Sequence, residues 1–97
     1  MNRYQCIATL VEREALRYTP AGIAIVTARL QHSSQQIEAG VARTVEFDMP
    51  ALAAGDISTR LLALALGQSC RFTGFLARRS RNSRTLVLHI TDFDSDI

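Results

Sequence analysis

The chain has 97 residues, 47% of them hydrophobic and 21% charged, which is the composition of one ordinary globular domain. No apolar run approaches the ~20 residues that a membrane-spanning helix needs, and the amino-terminal stretch alternates like a strand rather than resembling a secretory signal. The sequence therefore predicts a single cytoplasmic domain over residues 1–97, with no membrane as a partner.

The net charge of +2 is unevenly distributed along the chain. Residues 71–84 contain five arginines and no acidic residue, so the rest of the chain has six arginines against nine acidic residues. All eleven basic residues are arginines, whose planar guanidinium groups suit phosphate and stack on bases, although a GC-rich genome would favour arginine in the same way. The distribution predicts a mildly acidic body with one strongly basic segment.

Cys6 and Cys70 are the only cysteines, and the chain has no CxxC motif. This usage is typical of free, half-buried thiols in a reducing cytoplasm, with a disulfide between the two as the alternative. The cysteine pattern therefore indicates no disulfide framework.

Period-two alternation of apolar residues dominates the first third of the chain and predicts strands. The first predicted strand runs to about Arg13, and the second begins after the turn signal at Thr19–Gly22. Tyr4, Cys6, Ala8 and Leu10 are predicted to share one face of the first strand, with Tyr4 assigned to the core or to an interface. Ala24, Val26, Ala28 and Leu30 are predicted to share one face of the second.

The third predicted strand lies between a loop and a proline. The stretch SSQQIEAG (33–40) is interpreted as a polar loop, and Pro50 is predicted to end the strand. Within the strand, alternation assigns Val45, Phe47 and Met49 to the core and their acidic neighbours to solvent.

A short helix and a hairpin complete the predicted elements. Asp56 or Ser58 is predicted to cap a helix that ends near Leu66, with Gly67 as the residue that follows its carboxyl end. The last two strands form a hairpin in which Gly74 is expected to make a bulge. Cys70, Phe72, Gly74 and Leu76 are predicted to line one face of its first strand, with Phe72 in the core. Leu86, Leu88 and Ile90 are predicted to line one face of its second strand, with Val87 and His89 on the opposite face.

This order of elements is that of an all-β, five-stranded OB-fold barrel with a short helix between strands 3 and 4. Another small barrel, such as an SH3-like one, is the alternative. OB barrels bind their ligands with the loop after strand 1 and the loop joining strands 4 and 5. In this chain those loops are Leu16–Gly22 and Arg78–Arg84.

The sequence lacks the motifs of a catalytic or cofactor site. It contains no Walker loop, no dinucleotide-binding glycine motif and no nucleophile elbow. His32 and His89 lie on different predicted strands, which favours structural histidines over a metal site. Asp92, Asp94 and Asp96 lack the glycine and the closing glutamate of a calcium loop. The sequence therefore predicts no enzyme, no cofactor and no metal.

The basic residues favour a nucleic-acid-binding surface, which needs positive charge along the backbone and aromatic faces for the bases. Like charges as dense as those of residues 78–84 repel one another, which favours phosphate contact over a merely solvated turn. Six aromatic residues and no tryptophan make stacking sparse, so we expect modest, sequence-tolerant, salt-sensitive binding to single strands. The candidate binding residues are Arg13, Arg17, Tyr18, Arg29, Arg43, Phe75, Arg78, Arg79, Arg81 and Arg84.

Five segments of the chain resemble the family of primosomal replication protein N, also called PriB. In the family's order they are LRYTPAGI (16–23), LQHSSQQIEAGVAR (30–43), FDMP (47–50), GQSCRFTGFLA (67–77) and LVLH (86–89). The resemblance covers nearly the whole chain and implies a bacterial homodimer of OB folds related to single-stranded DNA-binding proteins. It also implies binding to single-stranded DNA, docking with the PriA helicase and other primosome proteins during replication restart, and no enzymatic activity.

The resemblance extends to individual basic residues. Arg13 and Arg43 match basic positions of the family's DNA-binding face. Arg79, Arg81 and Arg84 match the basic loop of the family. In relatives this loop usually carries lysines and is a couple of residues longer. These matches imply the same role for the five arginines.

Three positions depart from the family pattern. Glu46 stands where relatives have a tryptophan, Val41 where they have a phenylalanine, and Tyr18 where they have a lysine. The resemblance therefore implies weaker binding to single strands than in the aromatic-bearing relatives, and greater reliance on the loops.

Two other functions are alternatives to DNA binding. A dimeric OB scaffold would act mainly through contacts with replisome proteins, and its arginine loop would meet an acidic protein patch. A ribosomal or tRNA-binding OB domain would need residues that read the 2′-hydroxyl, which the sequence does not reveal.

Overall fold

Six strands and one helix make up residues 1–96, which the computed structural model describes. The strands are β1 (Tyr4–Arg13), β2 (Arg17–Tyr18), β3 (Ala24–Glu38), β4 (Val41–Ala54), β5 (Ser69–Arg78) and β6 (Leu86–Asp94), and the helix is α1 (Asp56–Ala63).

Five of the strands close into a barrel in the order β1-β5-β6-β4-β3, and the pairing of β1 with β3 completes the ring. β4 and β6 pair in parallel, while the other neighbours are antiparallel. β2 adds two residues to the edge of β3. Because α1 joins the third and fourth barrel strands in chain order, the predicted all-β OB fold with one short helix is confirmed.

β1 closes the barrel because it changes partner along its length. Residues 4–9 pair with β5, and residues 9–13 pair with β3. The register with β3 shifts between Leu10 and Glu12, so Val11 forms a β-bulge, which bends the strand and increases its twist. A single strand therefore contributes to both sides of the ring.

A bulge is present where Gly74 was predicted to make one, but its extra residue belongs to β6. Thr73 pairs with Asp92 and Gly74 with Ile90, so Thr91 is left without a partner on β5 and Gly74 lies opposite the bulge. A Cβ atom on Gly74 would lie 1.9 Å from the carbonyl oxygen of His89, far inside van der Waals contact. Only glycine therefore allows the two strands to approach this closely.

The barrel interior holds the core face that alternation predicted for the first two strands. The buried core residues are Ala8, Leu10, Val26, Leu30, Ala51, Ala53, Leu61, Leu64, Cys70, Phe72, Leu88, Ile90 and Phe93. Cys6 and Cys70 are both free thiols, and burial raises the pKa of Cys70. Leu86 pairs with Arg78 at the open end of the last hairpin and is exposed, whereas Leu88 and Ile90, predicted on the same face, are buried.

The prediction of a loop over residues 33–40 is wrong. β3 continues to Glu38, and its register with β4 is unbroken. Ala39 and Gly40 both have positive φ, 53° and 78°, as a two-residue type I′ turn requires. Residues 32–47 therefore form a two-stranded arm beyond the barrel, and its polar residues resemble a loop in sequence because most of them face solvent.

The arm also accounts for the burial of the three residues that alternation assigned to the core in β4. Met49 packs against the core, and Val45 is half-buried on the arm. Phe47 was expected in the core but is 37% exposed, because it lies on the arm, where its ring packs on His32 with the centroids 4.9 Å apart. The core face of β4 thus continues past the end of the barrel.

Pro50 does not end β4, contrary to the prediction, and the strand continues beyond it. On one side Pro50 pairs with Arg29 of β3. On the other side β6 pairs only with Ala51 and Leu52, so Pro50 lies where β4 has a single neighbour. Strands tolerate proline in this setting, since fewer ladder hydrogen bonds depend on its missing N–H.

The predicted caps of α1 are wrong. Neither Asp56 nor Ser58 caps the helix, whose N-cap residue is Gly55 without a side-chain cap. Ser58 is instead buried and donates its hydroxyl to the carbonyl oxygen of Gly55 at 2.6 Å. The helix ends at Ala63, and Gly67 belongs to a later turn. No helix among residues 1–96 is long and apolar enough to cross a membrane.

The side chain of Asn2 occupies the edge of β5 beyond the first residue of β1. Its Nδ2 donates to the carbonyl oxygen of Leu76 at 2.7 Å, and the N–H of Leu76 donates to Asn2 Oδ1 at 3.1 Å. These two hydrogen bonds satisfy the backbone groups that a neighbouring strand would otherwise pair.

Arg60 fastens α1 to the end of β6. Its guanidinium group donates to Asp92 Oδ1 at 2.9 Å and to the carbonyl oxygen of Phe93 at 2.7 Å. The same group lies 4.6 Å from the centroid of the Phe93 ring, a cation–π contact. Hydrogen bonding to Arg60 lowers the pKa of Asp92.

We expect the Asp92→Asn variant to unfold at a lower temperature than the wild type at neutral pH. Because the pKa of Asp92 in the folded protein lies below its usual 3.8, the carboxylate stabilises the folded state above that value. This contribution is lost as the pH falls through the folded-state pKa, so the two proteins should converge at strongly acid pH. Circular dichroism melts over an acid-to-neutral series measure the difference.

Asp96→Asn is the control with the same charge change, since Asp96 forms no ion pair within residues 1–96. Identical melting temperatures of the wild type and Asp92→Asn at neutral pH would show that the contact with Arg60 does not stabilise the fold.

Candidate nucleic-acid interface

A groove of about 800 Å³ crosses the outward face of the barrel. Its lining comes from the end of β1, from β2, β3, β4 and β6, and from the end of β5. Five residues predicted to bind nucleic acid line it, namely Arg13, Arg17, Arg29, Arg78 and Arg79. The other five predicted residues lie outside the lining and are Tyr18, Arg43, Phe75, Arg81 and Arg84.

The groove has an ordered floor, because register partners on neighbouring strands face the same side of a sheet. One row across β3, β4 and β6 consists of Thr27, Leu52 and His89, and it continues on β5 with Phe75, just outside the lining. The adjacent row across β1, β3 and β4 consists of Glu12, Arg29 and Pro50. The strand pairing therefore brings together residues that are distant in sequence.

The middle of the floor is apolar. Pro50 and Leu52 are half-buried there, and Val87 is only 5% exposed although alternation predicted correctly that it faces outward. An apolar floor between charged walls suits the flat faces of nucleobases, whereas phosphates favour the walls.

Arg78 and Arg79 stand where β5 passes into the loop that leads to β6. Hydrogen bonds hold this loop in shape: the N–H of Arg79 donates to the carbonyl oxygen of Thr85 at 2.9 Å, and the N–H of Thr85 donates to Ser83 Oγ at 3.0 Å. All four arginines of the loop are exposed, and none of them forms an ion pair with an acidic residue in the described part of the chain. Their charges are therefore available to an anionic ligand.

Arg13 lies in the groove, but its guanidinium group is bonded to α1. Nη1 donates to the carbonyl oxygen of Leu61 at 3.3 Å and also to that of Leu64. A positive charge is favourable at this end of a helix, whose carbonyl groups carry partial negative charge. Half-buried Arg13 therefore caps the helix in place of the predicted glycine, and its contact with DNA stays a prediction.

The other strand arginines differ in their surroundings. Arg29 Nε lies 3.7 Å from Glu12 Oε2 in the groove. Arg43 lies on the arm and donates to Glu38 Oε1 at 2.5 Å. Arg17 is exposed on β2 and has no ion pair within residues 1–96. Arg17 and the loop arginines are therefore the uncompensated positive charges of this face.

Phe75 and His89 form an aromatic platform at the edge of the groove. They are register partners on β5 and β6, and their rings stack with centroids 4.8 Å apart and planes 14° apart. Phe75 is 39% exposed, so a base can reach its ring. Tyr18, the other predicted platform, is 68% exposed on β2, outside the lining of the groove.

The structure also brings Cys6 and His32 together, outside the groove. Cys6 Sγ lies 3.0 Å from His32 Nδ1, which also contacts the carbonyl oxygen of Ile7 at 2.7 Å. His32 Nε2 contacts Ser34 Oγ at 2.8 Å. Within residues 1–96 no group of three or more potential metal-ligating side chains forms, so this pair belongs to the hydrogen-bond network of the arm.

Among the lining residues that the sequence did not indicate, four carry the chemistry of the groove. His89 and Leu52 lie in the floor, while Glu12 and Glu14 add negative charge to the lining. Alternation indicated that His89 faces outward, but it was interpreted as structural. Only the parallel register of β4 against β6 shows that this outward face is the groove.

Known proteins resemble this chain in both fold and sequence. A family model described as another single-strand binding protein family matches residues 2–92. Replication restart protein PriB of Nitrosomonas europaea is 38% identical over 94 residues, which cover 95% of this chain and 87% of that protein. This chain belongs to the PriB family. The resemblance recognised in the sequence is therefore confirmed.

Other PriB proteins agree with this assignment. PriB of Bordetella pertussis is 37% identical over 90 residues, covering 93% of this chain and 84% of that protein. The solved structure of PriB from Ralstonia solanacearum superposes with a TM-score of 0.87 at 47% identity and covers 97% of this chain and 96% of its own. A small single-stranded DNA-binding protein from Streptomyces coelicolor superposes with a TM-score of 0.74 at 16% identity, which shows the shared fold alone.

Replacing Arg13 by alanine in this PriB-family protein is expected to lower the free energy of unfolding by about 1–2 kcal/mol, because the helix carbonyls lose a charged donor. Urea denaturation measures the change. Arg79→Ala, which removes an exposed guanidinium group, is the control and should leave the stability unaltered. An Arg13→Ala variant of wild-type stability would contradict the capping role.

Proposed function

We propose that this protein binds single-stranded DNA along the groove and the arginine loop, as a non-catalytic accessory protein of the replication-restart primosome in the cytoplasm. The observation that carries the proposal is the gathering of Arg17, Arg29, Arg78 and Arg79 around one groove. Membership of the PriB family supports the restart role, since relatives of this chain are named replication restart proteins.

The groove offers complementary surfaces to the two parts of a DNA strand. Phosphates are attracted to Arg78 and Arg79 and to the other arginines of their loop, which have no acidic partners within residues 1–96. Bases can lie on the apolar floor around Leu52 and stack at its edge on Phe75. With one such platform beside the floor, most of the affinity is expected from phosphate contacts and therefore to depend on salt.

Fluorescence anisotropy with oligo(dT) at several salt concentrations tests this proposal. We expect the wild type to bind with a negative slope of log affinity against log salt. Replacing Arg79, Arg81 and Arg84 together by alanine should weaken binding and make the slope shallower by about two, because each lost phosphate contact on a single strand contributes roughly 0.7. Arg3→Ala, an exposed arginine outside the groove, is the control and should leave the slope unaltered.

The proposal includes docking with the PriA helicase, which rests on family membership alone. A specific surface favours the alternative role, a dimeric scaffold that acts mainly through protein contacts. Negligible binding of oligo(dT) at low salt, together with retained binding to PriA, would replace the DNA-binding proposal by the scaffold. Binding of DNA without binding of PriA would remove the helicase from the proposal.

The surface that favours the scaffold role lies between β1 and the arm. A depression of about 540 Å³ there is lined by Tyr4, Gln5, Cys6, Ile7, His32, Ser33, Ser34, Gln36, Val45 and Phe47. None of these is an arginine, aspartate or glutamate, and burial raises the pKa of Tyr4 to about 12, so its phenol stays neutral. Absence of charge is typical of the core of a protein–protein interface.

We propose that a second copy of the chain covers this surface, with the two β1 strands side by side. Residues 4–8 of β1 pair with β5 on one side only, because pairing with β3 begins at Thr9. Ile7 is 47% exposed next to this free edge. An edge of this kind calls for a partner or a cover, and a homodimer supplies one.

Ile7→Glu is expected to convert the protein from a dimer to a monomer of 10.7 kDa, because a charge would enter the apolar contact. Size-exclusion chromatography with light scattering measures the mass, and circular dichroism checks the fold. Ile23→Glu is the control, since Ile23 is 48% exposed and lies outside the depression. A monomeric wild type, or an Ile7→Glu variant that stays dimeric, would disprove this interface.

A further inference from the structure

The groove contains two carboxylates among its arginines, and they belong to the end of β1. Glu12 is the register partner of Arg29, and its Oε2 lies 3.7 Å from Arg29 Nε. Glu14 follows two residues later in the same lining. Both glutamates are exposed, so a ligand in the groove can reach them.

The carboxylates and the loop arginines lie at different ends of the groove. Glu12 is beside β3, whereas Arg78 and Arg79 follow β5. In the sheet order β5-β6-β4-β3, two strands separate these ends, and the apolar floor lies on those strands. A DNA strand therefore meets the loop arginines at one end and an apolar surface in the middle. At the other end it meets Glu12 and Glu14 interspersed with Arg13, Arg17 and Arg29.

We propose that Glu12, with Glu14, makes the groove prefer nucleobases that carry exocyclic amino groups over thymine. This inference rests on the proposed binding of single-stranded DNA. The arginines of the groove attract phosphates, whereas Glu12 and Glu14 repel a phosphate at close range, so the group that comes within reach of Glu12 is a base lying on the floor.

Hydrogen-bond chemistry then separates the bases. A carboxylate only accepts hydrogen bonds, and the amino groups of cytosine, adenine and guanine are donors that suit it. Thymine presents O2 and O4, which are acceptors that a carboxylate repels, and offers a single N3–H. The expected preference is for amino-bearing bases as a class, because cytosine, adenine and guanine all offer a donor to the carboxylate.

Arg29 leaves Glu12 able to serve this role. The two side chains are 44% and 72% exposed, and an exposed pair at 3.7 Å is weak, so the carboxylate can turn towards a base. A carboxylate also has more acceptor positions than one arginine occupies. Glu12 can therefore contact Arg29 and a base at the same time.

Anisotropy titrations of oligo(dC) and oligo(dT) of equal length, at one salt concentration and neutral pH, test the inference. The wild type should bind oligo(dC) about three-fold or more tightly than oligo(dT). In Glu12→Gln the ratio should fall towards one, because the carboxamide can accept from cytosine and donate to thymine alike. Affinity for oligo(dT) should rise in the same variant, since a negative charge has left the groove.

Asp56→Asn is the control, because it removes the same charge from the first turn of α1, outside the groove, and should leave the ratio unaltered. Equal affinities of the wild type for the two oligonucleotides would overturn the inference while leaving DNA binding intact. A preference that persists in the double variant Glu12→Gln/Glu14→Gln would overturn it as well. Failure to bind either oligonucleotide would overturn the proposed function and the inference together.

Discussion

The bulge at Val11 is the constraint on which both the barrel and the groove depend. Unbroken alternation from Ala8 and Leu10, which are buried, would also turn Glu12 into the core. The extra residue reverses the alternation, so that Glu12 faces Arg29 in the groove. The bulge also lies where β1 changes its pairing partner from β5 to β3, and this change of partner closes the ring. The bulge at Val11 thus contributes both to the closure of the barrel and to the position of Glu12 on its outer face.

Arginine serves two physical purposes in this chain. Arg13 and Arg60 satisfy carbonyl groups at the two places where α1 meets β1 and the end of β6. Arg13 replaces the glycine cap that the carboxyl end of the helix lacks, whereas Arg60 holds the helix against β6. The arginines of the β5–β6 loop have no such partners in the described part of the chain, and their exposed charges repel one another. The arginines of this chain therefore fall into two groups, those bonded within the fold and those whose charges have no acidic partner within residues 1–96.

Alternation predicted the strands well wherever one face of the sheet is buried, as in β1 and in the barrel part of β3. It failed for residues 33–40, because a ribbon exposed on both faces needs no apolar residues and resembles a loop. The cap at the carboxyl end of α1 was mispredicted because Arg13, which bonds that end, is 48 residues from Leu61 in sequence. Capping patterns are recognised in residues next to the helix, so they cannot identify a partner so distant in sequence.

The candidate site was predictable only in part for a similar reason. The order of elements placed the arginine loop beside the binding face, because OB barrels share that arrangement. The floor around Leu52 and His89 depends on a short parallel register between β4 and β6, which no local pattern specifies. The glutamates do not follow from a pattern of positive charge and aromatic rings, although acidic residues among the arginines also determine the chemistry of a groove.

The amide of Asn2 has a consequence for the solubility of this protein. A bare strand edge is a template on which further chains can add, and repeated addition leads to fibrous aggregates. By bonding both backbone groups of Leu76, Asn2 blocks the first step of such growth at the edge of β5. A single residue before the first strand thus protects this edge from polymerisation, because its side chain makes the hydrogen bonds that the backbone of another strand would make.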